Sequence, residues 1–242
     1  MIRKFIICLF TIVFSFFQSQ VLDEYPEKQD FYEGGLVNFY RESHDYLTKN
    51  KVKDCDSKEI YQPRFIVTKE GGIKLVKDSD TANISKNKCA YEISISLLKN
   101  LKNWKPAEVK GLKIGALTEF ILYPKDVMGN YKEGYNAMEF IIPAQYPGGY
   151  DKLGKDFHDE FMTLFMDYHI NGNINLEFYV DKEGHISNPR IYPEIRDRSF
   201  NIEFLRTLSR LHKVWKPALY SNIPIKQRVN YPMRFSTTFY ER

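Results

Sequence analysis

The sequence predicts a fold that mixes short strands with amphipathic helices and builds that arrangement twice in tandem. Three observations carry the expectation. The tetrapeptide WKPA stands at both 104–107 and 215–218. The same features recur in the same order around each copy, offset by 114, 114, 113 and 111 residues, which chance similarity would not preserve. Apolar residues within those features alternate at period two in some stretches and fall at helical spacing in others. An offset so far above the roughly 20–50 residues of a solenoid repeat marks a whole small domain per copy.

Each copy opens with an aromatic, one further residue and two glycines, YEGG at 32–35 and YPGG at 146–149. Helix-like stretches containing His-Asp follow at 36–50 and 150–166. A strand and tight turn come next, PRFIVTKEGGIKLV and NLEFYVDKEGHISN. In the second copy Ile174, Leu176, Phe178 and Val180 alternate with Asn175, Glu177 and Tyr179, the pattern of a strand with one buried face. Residues 181–184 form the turn, Gly184 supplies its positive φ, and Ile186 and Ile191 return as the partner strand.

An amphipathic segment then runs into WKPA. Ile93, Leu97, Leu101 and Trp104 are spaced 4, 4 and 3 apart, and Phe204, Leu208, Leu211 and Trp215 are spaced 4, 3 and 4. Both sets predict one helical face, and Ser199 or Asn201 can cap the second helix. Pro106 and Pro217 are expected to end these helices, so WKPA reads as a helix-to-strand joint rather than a binding motif. Extended segments at 112–124 and 223–235 close the copies.

The first twenty residues stand apart. Arg3 and Lys4 precede an uncharged, mainly apolar run of 13 residues from Phe5 to Phe17. A membrane span needs about 20, so this run fits a signal-peptide core with cleavage near Gln20. Cleavage predicts an exported protein with no integral membrane span; the alternative is an uncleaved anchor. The expected organisation is therefore a signal peptide at 1–20, a first domain at 21–127, a linker at 128–137 and a second domain at 138–242. A short strand is expected at 138–142, pairing with either domain's sheet.

Composition narrows the function. At 43% hydrophobic and 15% aromatic the chain is globular and leans toward strands. Losing Arg3 and Lys4 lowers the formal charge from +4 to +2, with no block of like charge, which argues against nucleic acid or an anionic membrane as partner. Cys55 and Cys89 remain, and an even pair in an oxidising compartment suggests one disulfide closing a loop of about 35 residues; two buried thiols are the other possibility.

The ordered set of features in the second copy, QYPGG, "GNINLEFYVDKEG" at 172–184, WKPA and a last strand ending at Phe235, resembles the TonB C-terminal domain family. The first copy is similar through YEGG and "PRFIVTKEGG" but lacks the Gly-x-Ile opening. The resemblance implies an α+β fold, two tandem domains each with a three-stranded antiparallel sheet backed by helices. It implies a periplasmic interaction module in which an extended peptide of an envelope protein, an outer-membrane transporter in the family's energy-transducing members, adds a strand to an open sheet edge. On that basis Gln145, Tyr146 and Pro147, with Arg228, Val229, Asn230, Tyr231, Met233 and Phe235 of the last strand, are the expected peptide-binding residues. The alternative is an energy transducer anchored by its N-terminus.

Motifs for chemistry are sparse. His44–Asp45 and His158–Asp159 occupy the same repeat position, but neither copy has the spacing of a zinc helix. His158, Asp159, Asp167 and His169 would converge only if the helix ended among them, so a solvated helical face is the expectation. There is no G-x-S-x-G elbow, and the glycine pairs lack a phosphate-loop context. The sequence thus predicts no enzyme, metal or cofactor.

Overall fold

A computed structural model describes residues 21–164, 172–211 and 214–235. The expected signal peptide at 1–20 and the candidate ligands Asp167 and His169 lie outside the described residues. The fold is α+β, with small antiparallel sheets and several helices, and the chain divides into two compact units, Met1–Asn136 and Ala137–Arg242.

The first unit runs β1 (Val21–Leu22), α1 (Gly35–Lys49), β2 (Arg64–Val67), β3 (Ile73–Leu75), α2 (Thr81–Lys86), α3 (Lys88–Asn100), β4 (Ala107–Val109), β5 (Leu112–Glu119) and α4 (Pro124–Val127). Its sheet has the order β1-β5-β2-β3, with β4 folded back on β5. All pairings are antiparallel except that of β1, which lies parallel to β5 with Val21 opposite Gly115. Phe31, Phe39, Phe65, Trp104 and Phe120 fill the core, their ring centroids 4.7 to 6.5 Å apart. Each is nearly or fully buried, and such rings carry most of the apolar burial a small unit needs. Cys55 and Cys89 form a disulfide, with their Cα atoms 5.7 Å apart, tying the loop before β2 to the start of α3.

The second unit runs β6 (Ile141–Ile142), α5 (Gly149–Leu164), β7 (Gly172–Val180), β8 (Ile186–Tyr192), α6 (Arg198–Arg210), β9 (Ala218–Tyr220), β10 (Ile223–Ile225) and β11 (Gln227–Phe235). One sheet has the order β11-β7-β8 and a smaller one the order β10-β9-β6, all antiparallel. β6 therefore belongs to this unit's own sheet, and the residues just before it, Ala137–Phe140, form a 3₁₀ turn. Phe157, Phe161, Phe200 and Phe204 lock α5 to α6 with centroids 4.7 to 6.2 Å apart.

The two units repeat one another at the level of single hydrogen bonds. Tyr61, Arg64, Phe65, Ile66 and Val67 face Leu122, Glu119, Thr118, Leu117 and Ala116. Their counterparts Ile174, Glu177, Phe178, Tyr179 and Val180 face Met233, Asn230, Val229, Arg228 and Gln227, so the register is the same throughout. The Lys105 N–H donates to the Phe31 carbonyl at 2.9 Å, and the Lys216 N–H to the Gln145 carbonyl at 2.9 Å. The Tyr32 hydroxyl donates to Glu42 at 2.5 Å and the Tyr146 hydroxyl to Asp156 at 2.8 Å. Each tyrosine meets the tryptophan of its WKPA edge to face, at 5.1 and 5.4 Å.

Several local expectations need correcting. The helices stop at Asn100 and Arg210, before the tryptophans, so Pro106 and Pro217 do not terminate them. Trp104 instead sits in a bridge opposite Tyr32, and its indole N–H donates to the Leu101 carbonyl at 2.8 Å. The cap of α6 is Asp197, whose carboxylate accepts from the Phe200 N–H, rather than Ser199 or Asn201. His44 is not on a solvated face: its Nδ1 donates to the Val127 carbonyl at 2.8 Å and its ring stacks on Tyr131 at 4.2 Å. His158 is exposed beside Asp159.

Candidate peptide-docking edge

β11 is the edge of its sheet, and among the described residues its strand partner is β7 alone. Hydrogen-bond direction along it follows from the neighbouring ladder. The Asp181 N–H donates to the His185 carbonyl, so that pair is hydrogen-bonded, and in an antiparallel ladder bonded and non-bonded pairs alternate. Tyr179 then turns its backbone groups toward β8, while Phe178 and Val180 turn theirs toward β11. It follows that Gln227, Val229, Tyr231 and Met233 spend their N–H and C=O groups on β7. The backbone groups of Asn230 and Arg234 point the other way, toward the sheet's rim, and Pro232 between them offers only a carbonyl there.

Side chains alternate across the same strand. Val229 is buried against the core, Tyr231 and Met233 are half-buried on that face, and Asn230 is exposed on the other. Tyr231 lies flat against Tyr150, centroids 5.8 Å apart, with its hydroxyl over the start of α5. Gly154 makes this possible, because a Cβ there would come within 2.7 Å of that hydroxyl. On the opposite face Arg228 and Arg190 flank Glu177 at 2.6 and 2.5 Å. Period-two alternation predicted Glu177 to face solvent, yet only 4% of its side chain is exposed, since two arginines from the flanking strands close over it. Phe235 closes the ladder opposite Gly172.

The motif around Gln145 divides. The Gln145 backbone is committed to the ladder with Lys216, leaving an exposed side chain, and Pro147 is exposed in the turn that starts α5. Tyr146 is buried under Trp215, and burial, with the Asp156 carboxylate beside it, pushes its phenol well above the usual range. It braces α5 from inside rather than offering itself to a partner. Two links carry the motif to β11: the Ala144 N–H donates to the Gln227 side chain at 2.8 Å, and an aromatic run passes from Tyr146 through Trp215 and Tyr150 to Tyr231. Sequence reasoning missed Tyr150, Gly154 and Gln227, whose roles depend on contacts between elements far apart in the chain.

The equivalent rim of the first unit is partly filled. Ala116, counterpart of Gln227, takes Leu22 as a parallel partner, and Gly115 takes Val21. The arm that follows β1 is held along β4, where the Gln29 side chain both donates to and accepts from the Glu108 backbone at 2.8 Å.

Among the described residues, the group of metal-ligand types set close together is Cys55, Glu59 and Cys89, and both cysteines are spent in the disulfide. No helix among these residues is long and apolar enough to cross a membrane. No family model, curated protein or solved structure matches the chain.

Proposed function

We propose that this chain is an exported, non-enzymatic interaction module of the periplasm, similar in plan to the TonB C-terminal domain, and that it captures an extended peptide of an envelope protein along β11. The observation that carries the reading is the rim of β11, where Asn230 and Arg234 direct N–H and C=O groups away from β7. A strand placed there completes a ladder on the side where no described strand pairs with β11. The first unit supports the reading, since its matching rim takes a strand, β1, in the same chain.

Asn230→Pro tests it. Because the Asn230 N–H points away from β7, the substitution removes a rim donor without removing a β7 hydrogen bond. A photo-crosslinker at Asn230 or Arg234 should trap envelope proteins in cells, and Asn230→Pro should abolish trapping from Arg234. Trapping from exposed positions on α5 such as His158, with none from β11, would place the interaction elsewhere and end the proposal.

A further inference from the structure

We propose a second peptide site in the first unit, in the groove between β3 and α3, suited to an extended segment carrying apolar and acidic residues. It is independent of the β11 reading and uses different residues.

The backbone supplies half of the site. The Thr68 N–H donates to the Gly72 carbonyl and the Val76 N–H to the Arg64 carbonyl. Alternation along the ladder then assigns Gly72, Lys74 and Val76 to β2 and turns the N–H and C=O groups of Ile73 and Leu75 outward. β3 is the edge strand on that side of the sheet. Two outward residues are enough to anchor an added strand in register.

The side chains supply the other half. Beside this edge lies a groove of about 380 Å³, floored by Leu98, Leu101 and Trp104 and lipped by Leu75, which is 44% exposed. Gly71 and Gly72 at its mouth present no side chain, so a ligand backbone can approach. Lys99 and Lys102 line the groove and are exposed, and no carboxylate lines it. A strand on β3 therefore points alternate side chains over an apolar floor and toward two ammonium groups, which selects for an apolar residue with Asp or Glu close by.

The second unit shows what a guarded version of this edge looks like. β8 carries a bulge where its pairing shifts between Glu177 and Tyr179, with Asn188 at φ 50° and Pro189 lacking an N–H. Bulges and prolines of this kind keep edges from pairing. Residues 73–75 contain neither. The counterpart of Leu98 is Ser209, so the apolar floor is also particular to the first unit.

The test is selection of random nonapeptides displayed on phage against the purified protein, with its disulfide intact. Enriched peptides should carry an apolar residue and an Asp or Glu two positions apart, on one face of the strand. Their affinity should fall at least tenfold in the Lys99→Glu/Lys102→Glu double variant and in Leu75→Pro, which removes an outward N–H, and stay unchanged in Asn230→Pro. Circular dichroism matching the parent protein confirms that each variant is folded; Leu75→Ala, which should lose several-fold, stands in for Leu75→Pro if that one is not. No enrichment overturns the proposal, as does sensitivity to only one of the two groove changes. Sensitivity confined to Asn230→Pro overturns it too and assigns the peptides to β11.

Discussion

The two units share a register, a pair of tyrosine–carboxylate hydrogen bonds and a tryptophan joint, yet they differ in how they close. The first packs Trp104 into a cluster with four phenylalanine rings, adds a disulfide, and covers part of its last strand with β1. The second moves its rings to the contact between α5 and α6, has no disulfide, and leaves β11 with β7 alone among the described residues. The edges are also exchanged: β8 is bulged while β11 pairs with β7 alone among the described residues, whereas β3 is plain and β5 is partly covered. One architecture thus tolerates opposite choices about which rim to protect. The shared ladder and core sustain the fold, and the rims differ.

The largest single losses should come from the cores. Phe65→Ala removes a ring that touches Phe31, Trp104 and Phe120, and should cost the first unit about 3–5 kcal/mol. Phe178→Ala, at the same register position, touches Trp215 and should fall toward the lower end of that range. Hydrogen exchange resolved by unit would measure both. Equal losses would mean that the aromatic cluster around Trp104 adds nothing beyond burial.

Next in size is the disulfide. Replacing Cys55 and Cys89 by serine should lower the first unit's stability by about 3–4 kcal/mol through the freed loop, and leave amide protection in β7 and β11 unchanged. A matching loss in the second unit would show that the two unfold together.

The turn glycines sharpen the comparison further. Gly71 and Gly184 both adopt positive φ beside the backbone of a WKPA tryptophan. An added Cβ would stand 3.3 Å from the Trp104 carbonyl oxygen but 2.1 Å from that of Trp215. Gly71→Ala should therefore cost only the conformational penalty of about 1–2 kcal/mol. Gly184→Ala should add about 1–3 kcal/mol for the clash. Urea denaturation of the paired variants tests the ordering.

The smallest expected difference is in alkali. Burial raises the phenols of Tyr25, Tyr32, Tyr40, Tyr61 and Tyr131 in the first unit and of Tyr146, Tyr150 and Tyr231 in the second. A raised pKa means that the folded state holds its proton where the unfolded chain has lost it. The stabilisation is complete below the ordinary tyrosine value of about 10 and is lost as pH climbs toward the folded values. With more such groups, the first unit should lose protection at lower pH. Tyr40→Phe, which removes one of them, should narrow the difference.

Much of this was legible beforehand because it is local. Period-two runs marked β7, helical spacing marked α3 and α6, and constant offsets marked the duplication, all from residues near one another in sequence. A disulfide between Cys55 and Cys89 is one of the two readings that the cysteine count leaves open, and it is the one the structure forms. What misled was also local. A polar residue in an alternating strand reads as solvent-facing, and nothing near Glu177 announces Arg190 and Arg228. Tyr146 is expected at the edge only through the family resemblance, and the Trp215 that buries it comes 69 residues later.

By itself, then, the sequence marked the main strands and helices, their order and their repetition, since backbone preference and the spacing of apolar residues act over a few residues at a time. Only the tertiary structure added β1, β4, β9 and β10 and decided which strands stand at the rims, which polar groups are enclosed and which way each strand's N–H groups point. Those outcomes depend on register and on partners drawn from distant segments, and a shift of one residue would reverse them.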